Sequence, residues 1–226
     1  MPHAQTLRPA GQPVTSQPGE DEFLRAVAEL ESGLAAQRQL RPELAFEEEP
    51  APRRLAPFAR AIAATVSADA MPDSSGQPQE PDSDAEIGSG RFVLLFDAAG
   101  QQGWDGKYRI IGYVRAELEP EMAADPLINA VGWSWLTEAL DARTGYRKIS
   151  GTVTTVVTQG FGSKEDEPTS TGFELRASWS PAITGTSPEL DGHIAAWCEV
   201  ICMAAGLPPL APGVANLRPQ RRGPRP

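Results

Sequence analysis

Histidine and cysteine are scarce in this chain, with two of each in 226 residues. His3 sits in a stretch rich in Pro, Gln, Gly and Ser, so His193 is the one imidazole in a patterned region. A serine or cysteine nucleophile needs a base, and His193 is the single imidazole on offer. Cys198 and Cys202 fall inside one helical pattern and do not make a disulfide framework. His193 is badly spaced to complete a zinc site with them, which wants four ligands, and off the Ile194 stripe it is expected to be a partly exposed helix residue. Their ordinary role is packing. Phosphate-cradling loops are missing too. Gly88-Ser89-Gly90 and the glycines between Gly100 and Gly106 match neither GxxxxGK[ST] nor GxGxxG. There is no GxSxG elbow. No cofactor and no metal are expected.

Positive charge is in deficit. Twenty Lys and Arg face thirty Asp and Glu, a formal net charge of -10. Phosphate backbones and anionic lipid surfaces demand the opposite balance, so no DNA or membrane partner is expected. No stretch approaches the ~20 apolar residues of a membrane span. Met1 to Gly19 lacks the apolar core of a signal peptide. A cytoplasmic protein is the expectation.

What is present concentrates between Ser89 and Leu210, which holds all five tryptophans: Trp104, Trp133, Trp135, Trp179 and Trp197. Residues 1–19 and 211–226 read as disordered tails, the second rich in Arg and Pro. Between them, 20–210 reads as one α+β domain with a disordered acidic insertion at 69–88. A first helix opens on Glu20-Asp21-Glu22 and buries Phe23, Val27, Leu30 and Leu34. Glu43 to Glu48 is a candidate edge strand. Phe58, Ile62 and Val66 fit strand or helix, and Thr65-Val66 favour strand. Arg91 to Asp97 is apolar on both faces, hence central. Tyr108 to Glu119 returns beside it after a turn at Asp105-Gly106.

Asp125-Pro126 predicts a cap and helix start, with Leu127, Val131 and Trp135 inward and an end near Gly145. Ser150 to Thr158 is a β-branched strand, and Phe173 to Trp179 a half-buried one. Ser187 and Pro188 open a last helix that Gly206 closes, with Leu190, Ile194, Trp197 and Ile201 inward. The sum is a mostly antiparallel sheet of five to six strands covered by about three helices. That order of elements is similar to the type III secretion chaperone-like fold.

Gly132-Trp133-Ser134-Trp135-Leu136-Thr137-Glu138-Ala139-Leu140 forms a distinctive block. With Gly90 to Glu119, Gly151-Thr152-Val153-Thr154, Leu175-Arg176-Ala177-Ser178-Trp179 and Ala195-Ala196-Trp197-Cys198, it resembles an uncharacterised actinobacterial family catalogued as domain of unknown function 3000. The resemblance spans roughly Phe23 to Leu210 and implies no activity, cofactor or catalytic residue.

Two groups of side chains are candidates for function. Trp104-Asp105 sits at a hairpin tip, where an exposed tryptophan marks a contact site for an unidentified protein partner. Arg109, Arg115 and Glu117 share one strand face, and Glu174 and Arg176 share another. If those faces coincide, guanidinium groups converge and can hold a carboxylate or phosphate. An ordinary cross-strand ion-pair ladder is the alternative. The functional reading is a non-catalytic binding, adaptor or chaperone-like protein. An enzyme acting on a small anion through the Arg/Glu patch is the second reading. RNA contact through the C-terminal arginines is the third.

Overall fold

The computed structural model describes residues 19–67, 86–183, 187–208 and 210. Apart from Gly19, which precedes α1, the expected tails lie outside the described residues, as does most of the expected insertion. The element order is α1 (Glu20–Leu40), β1 (Leu44–Glu49), β2 (Phe58–Ser67), β3 (Glu86–Phe96), β4 (Tyr108–Glu117), α2 (Pro120–Ala123), α3 (Ile128–Asp141), β5 (Tyr146–Thr158), β6 (Ser170–Pro181) and α4 (Leu190–Ala204). The six strands form one sheet in the order β1-β2-β3-β4-β6-β5, every neighbour antiparallel. This is the α+β fold expected, with Leu44–Glu49 as an edge strand and Phe58–Ser67 a strand rather than a helix. Glu86 to Gly88, assigned to the acidic insertion from sequence, instead begin β3 and pair with β2 and β4.

Side chains alternate across a strand, so each strand contributes to both sheet faces. Phe92, Leu94 and Phe96 of β3, Tyr108, Ile110 and Val114 of β4, and Phe173, Leu175 and Trp179 of β6 point to one face and are buried. The helices cover that face. α4 lies at the centre, flanked by α1 and α3 and packed on β3 and β4. Trp197 of α4 packs at a tilt against Phe92 with ring centres 5.6 Å apart and donates its indole N–H to the Tyr113 carbonyl at 3.1 Å. Full burial of each such side chain contributes about 1.5–3 kcal/mol. On β2, Arg60 ties the edge to α1 through Glu31, 2.7 Å away, and also pairs with Glu48 of β1.

Three details depart from the sequence expectation. α3 begins at Ile128, not Pro126, and ends at Asp141. The Asp125 carboxylate does accept the Leu127 amide N–H at 2.8 Å, but it closes a turn ahead of the helix. The inward face is accordingly Ile128, Gly132, Leu136 and Ala139, and Leu127 and Val131 are exposed. Gly132 permits the contact, since a Cβ there would lie 2.5 Å from the Phe173 ring. Ser187 accepts the Glu189 amide N–H ahead of α4, which starts at Leu190. At its other end Gly206 adopts φ 77°, with Leu207 N–H bonded to Cys202 O and Gly206 N–H to Met203 O, a Schellman termination.

His193 is the third departure: it is fully buried rather than partly exposed. α4 rests on the sheet between α1 and α3, so its buried surface is wider than one apolar stripe and leaves only a narrow outer side, with Asp191 exposed and Ala195 and Glu199 partly so. His193 Nδ1 accepts the Trp179 indole N–H at 3.1 Å, which leaves Nε2 carrying the ring proton towards Thr144 Oγ1 at 3.3 Å. Burial pulls its pKa down to about 4. Cys198 and Cys202 are buried free thiols, with Cys202 pushed up to about 11 by burial.

Candidate functional site

Among the described residues no helix covers the second sheet face, and antiparallel sheets commonly leave one face so. Across it run Ala59, Ala61 and Ala63 of β2, Arg91, Val93 and Leu95 of β3, and Arg109, Ile111, Tyr113, Arg115 and Glu117 of β4. Beyond them come Glu174, Arg176 and Ser178 of β6 and Ser150, Thr152 and Thr154 of β5. β4 pairs directly with β6, placing Arg115 opposite Glu174 and Tyr113 opposite Arg176. The two polar faces read from sequence therefore coincide.

Two loops fold onto one end of this face. The β3–β4 loop brings Trp104 against the small cluster of Ala61, Val93 and Leu95, with Ile111 alongside. Trp104 is thus half-buried and does not project from an exposed hairpin tip. Its loop is held down by residues of β5 and β6. The Asp105 amide N–H donates to Ser180 Oγ at 3.1 Å, Lys148 Nζ donates to the Trp104 carbonyl at 3.3 Å, and the Asp105 carboxylate lies 3.5 Å from Arg147. The β1–β2 loop supplies Leu55, whose carbonyl accepts from Gln101 at 3.0 Å. Between these loops and β5 lies an open trough of about 770 Å³. Leu95, Ile111, Trp104 and Leu55 give it an apolar lining, and Ser150, Thr152, Ser178, Arg176 and Arg109 supply polar groups.

Arg109 is the unusual member, with 9% of its surface exposed. Its guanidinium donates to the Lys148 carbonyl at 3.0 Å, the Ser178 carbonyl at 3.1 Å and Ser178 Oγ at 2.7 Å, with Ser180 Oγ at 3.5 Å. Local backbone creates those acceptors. β5 shifts register between Arg147 and Ser150, and Lys148 within the bulge has φ 50°, a left-handed conformation uncommon outside glycine. The displaced Lys148 carbonyl meets the guanidinium. Arg109 so joins β4, β5 and β6 as a strut. All its partners are neutral, and among the described residues no carboxylate pairs with it. Burial accordingly lowers its pKa from the usual arginine value. Ser178 Oγ, accepting from Arg109, keeps its own proton to donate.

The other sequence candidates divide. Arg176 lines the trough, pairs with Glu174 on its own strand, and sets its guanidinium 5.3 Å from the Tyr113 ring centre. Burial first and the Glu174 carboxylate second raise the Tyr113 pKa. Asp105 sits beside the trough and is committed to Arg147 and Ser180. Arg115, Glu117 and Glu174 share the open face but do not line the trough. Arg115 and Glu117 instead border a small depression at the other end of the sheet with Gly88. Ser150, Thr152, Ser178, Leu95 and Ile111 line the trough without having been singled out from sequence. The alternation that put Glu174 and Arg176 outward extends to Ser178 and was the available signal. Among the described residues the trough lining contains no His, Cys, Asp or Glu, and His193 lies on the covered side of the sheet.

A family model described as protein of unknown function (DUF3000) matches residues 19–215. This chain belongs to the DUF3000 family. The matched span includes every residue that lines the trough. No curated protein and no solved structure matches the chain. No helix among the described residues is long and apolar enough to cross a membrane.

Proposed function

We propose that this DUF3000 protein is a cytoplasmic, non-catalytic binding module whose ligand is a small organic anion with an apolar body, held in the open-face trough. The observation that carries this reading is Arg109, a nearly buried guanidinium at the trough with only neutral hydrogen-bond partners. Fixed dipoles satisfy its N–H groups without cancelling its charge. An incoming carboxylate or phosphate is therefore attracted in a medium less screened than bulk water. Leu95, Ile111 and Trp104 suit the apolar part, and the volume falls in the range of small-molecule sites. Binding is favoured over acid–base catalysis because the lining offers no carboxylate, imidazole or thiol.

Matched acids and neutral isosteres test the reading. Benzoate against benzamide, and phenyl phosphate against phenol, are to be titrated by ligand-observed NMR into wild type and Trp104→Ala. The expected result is binding of the anion in each pair, weakened in the variant. Equal binding of acid and neutral partner, or binding indifferent to Trp104→Ala, would contradict it.

A further inference from the structure

The two edges of the sheet are built differently. β1 exposes a short edge carrying Glu47, Glu48 and Glu49, followed at once by Pro50. Charge and proline at an edge are devices that stop another strand from adding. β5 has neither along most of its length. From Ser150 to Thr158 it holds no charged residue and no proline, and Thr152 to Thr158 are all β-branched. Among the described residues it is the outermost strand, paired on one side only. Val156 is 46% exposed, Val157 61%, and Phe161 just beyond 75%. An uncharged edge of this length with exposed valines is a template for strand addition.

We infer that β5 pairs antiparallel with β5 of a second copy, joining two six-stranded sheets across a two-fold axis. The charge pattern selects this occupant and this direction. Arg147 and Lys148 stand at the start of the edge, and the loop beyond its end holds Glu165, Asp166 and Glu167 with Lys164, which pairs with Glu167, a net acidic group. Antiparallel pairing brings the basic start of each edge towards the acidic loop of the other. Parallel pairing sets like charge beside like. Along the shared stretch only Ser, Gly, Thr and Val meet, so nothing repels, and a two-fold makes the contact self-complementary. The second copy then runs alongside Ser150 and Thr152, giving the trough an additional wall.

Sedimentation velocity of the full chain without ligand tests this independently of what the trough binds. The expected mass is twice 24.2 kDa, falling to the single-chain mass in Val156→Lys with an unchanged circular dichroism spectrum. A second variant, Thr154→Cys, guards against loss of folding in the first. Both native cysteines are buried, so a disulfide-linked dimer formed by Thr154→Cys under mild oxidation supports the pairing. A wild-type protein sedimenting as a single chain overturns the inference, as does a dimer that survives Val156→Lys and fails to cross-link through Thr154→Cys.

Discussion

The two faces of the sheet are made by the same strands and differ in what their burial accomplishes. On the helix side, Phe92, Leu94, Ile110, Phe173 and Trp179 are packed against α4, and the polar groups present, such as His193, are paired with other buried groups. On the open side, burial is local. It comes from two loops that trap a few apolar residues and one guanidinium. A surface that needed only to be wetted would not enclose Arg109 under a tied-down loop. The covered face accounts for folding, and the open face holds a preorganised positive site. A buried charge without a counter-ion contributes less to stability than apolar packing would, and the proposed ligand reading rests on that contrast.

Adjacent residues of β3 give the sharpest way to break this contrast. Leu94 and Leu95 are both buried, on opposite faces. Leu94→Ala should cost about 4–5 kcal/mol, at the top of the usual range for Leu→Ala, because the helix layer cannot collapse into the cavity. Leu95→Ala should cost about 2–3 kcal/mol, because the trough opens to water and Trp104 can settle. Urea unfolding measures both, and equal losses would dissolve the distinction.

His193 supplies a pH signature for the covered face. Its pKa is about 4 when folded against 6.5 in its ordinary state. Between those values the unfolded chain binds the proton and the folded chain refuses it, so stability falls as pH drops from 6.5 towards 4, by about 3 kcal/mol. Above 6.5 this contribution is fully present. In His193→Gln the loss across that window should shrink by about that amount, as read from denaturant midpoints at several pH values.

Arg109→Lys keeps the charge but cannot make the forked set of bonds to Lys148, Ser178 and Ser180. It should lower stability by about 1.5–3 kcal/mol and weaken benzoate binding about tenfold for each 1.4 kcal/mol of lost contact. The smallest effect belongs to Arg115→Ala. Arg115 is exposed and outside the trough, so stability should move by less than about 0.5 kcal/mol, with benzoate binding unchanged.

Much of this architecture is written in local pattern. Alternation from Phe173 to Trp179 and along Tyr108 to Glu117 sorts inward from outward residues, and the double-sided run Phe92 to Phe96 announces a central strand. The coincidence of the Arg109 and Arg176 faces is not local. It depends on β4 pairing with β6 across the intervening β5, a long-range choice that no window of sequence contains. The trough needs more still: the β5 bulge at Lys148 and a loop anchored through Ser180 to a strand 75 residues away. Where local signals misled, a real interaction was present in another role. Asp125 caps a turn instead of α3, and His193, off the main stripe of α4, is buried against Trp179 and Thr144.

The central claim is that the open face, at its Arg109 end, takes an organic anion. An amide NMR map of the full chain titrated with phenyl phosphate tests it most directly. The account predicts saturable shifts confined to Leu95, Trp104, Arg109, Ile111, Ser150 to Thr152 and Arg176 to Ser178, with α1 and α4 unmoved. Absence of saturable shifts, or shifts centred on the helix layer or near Arg115, would contradict it.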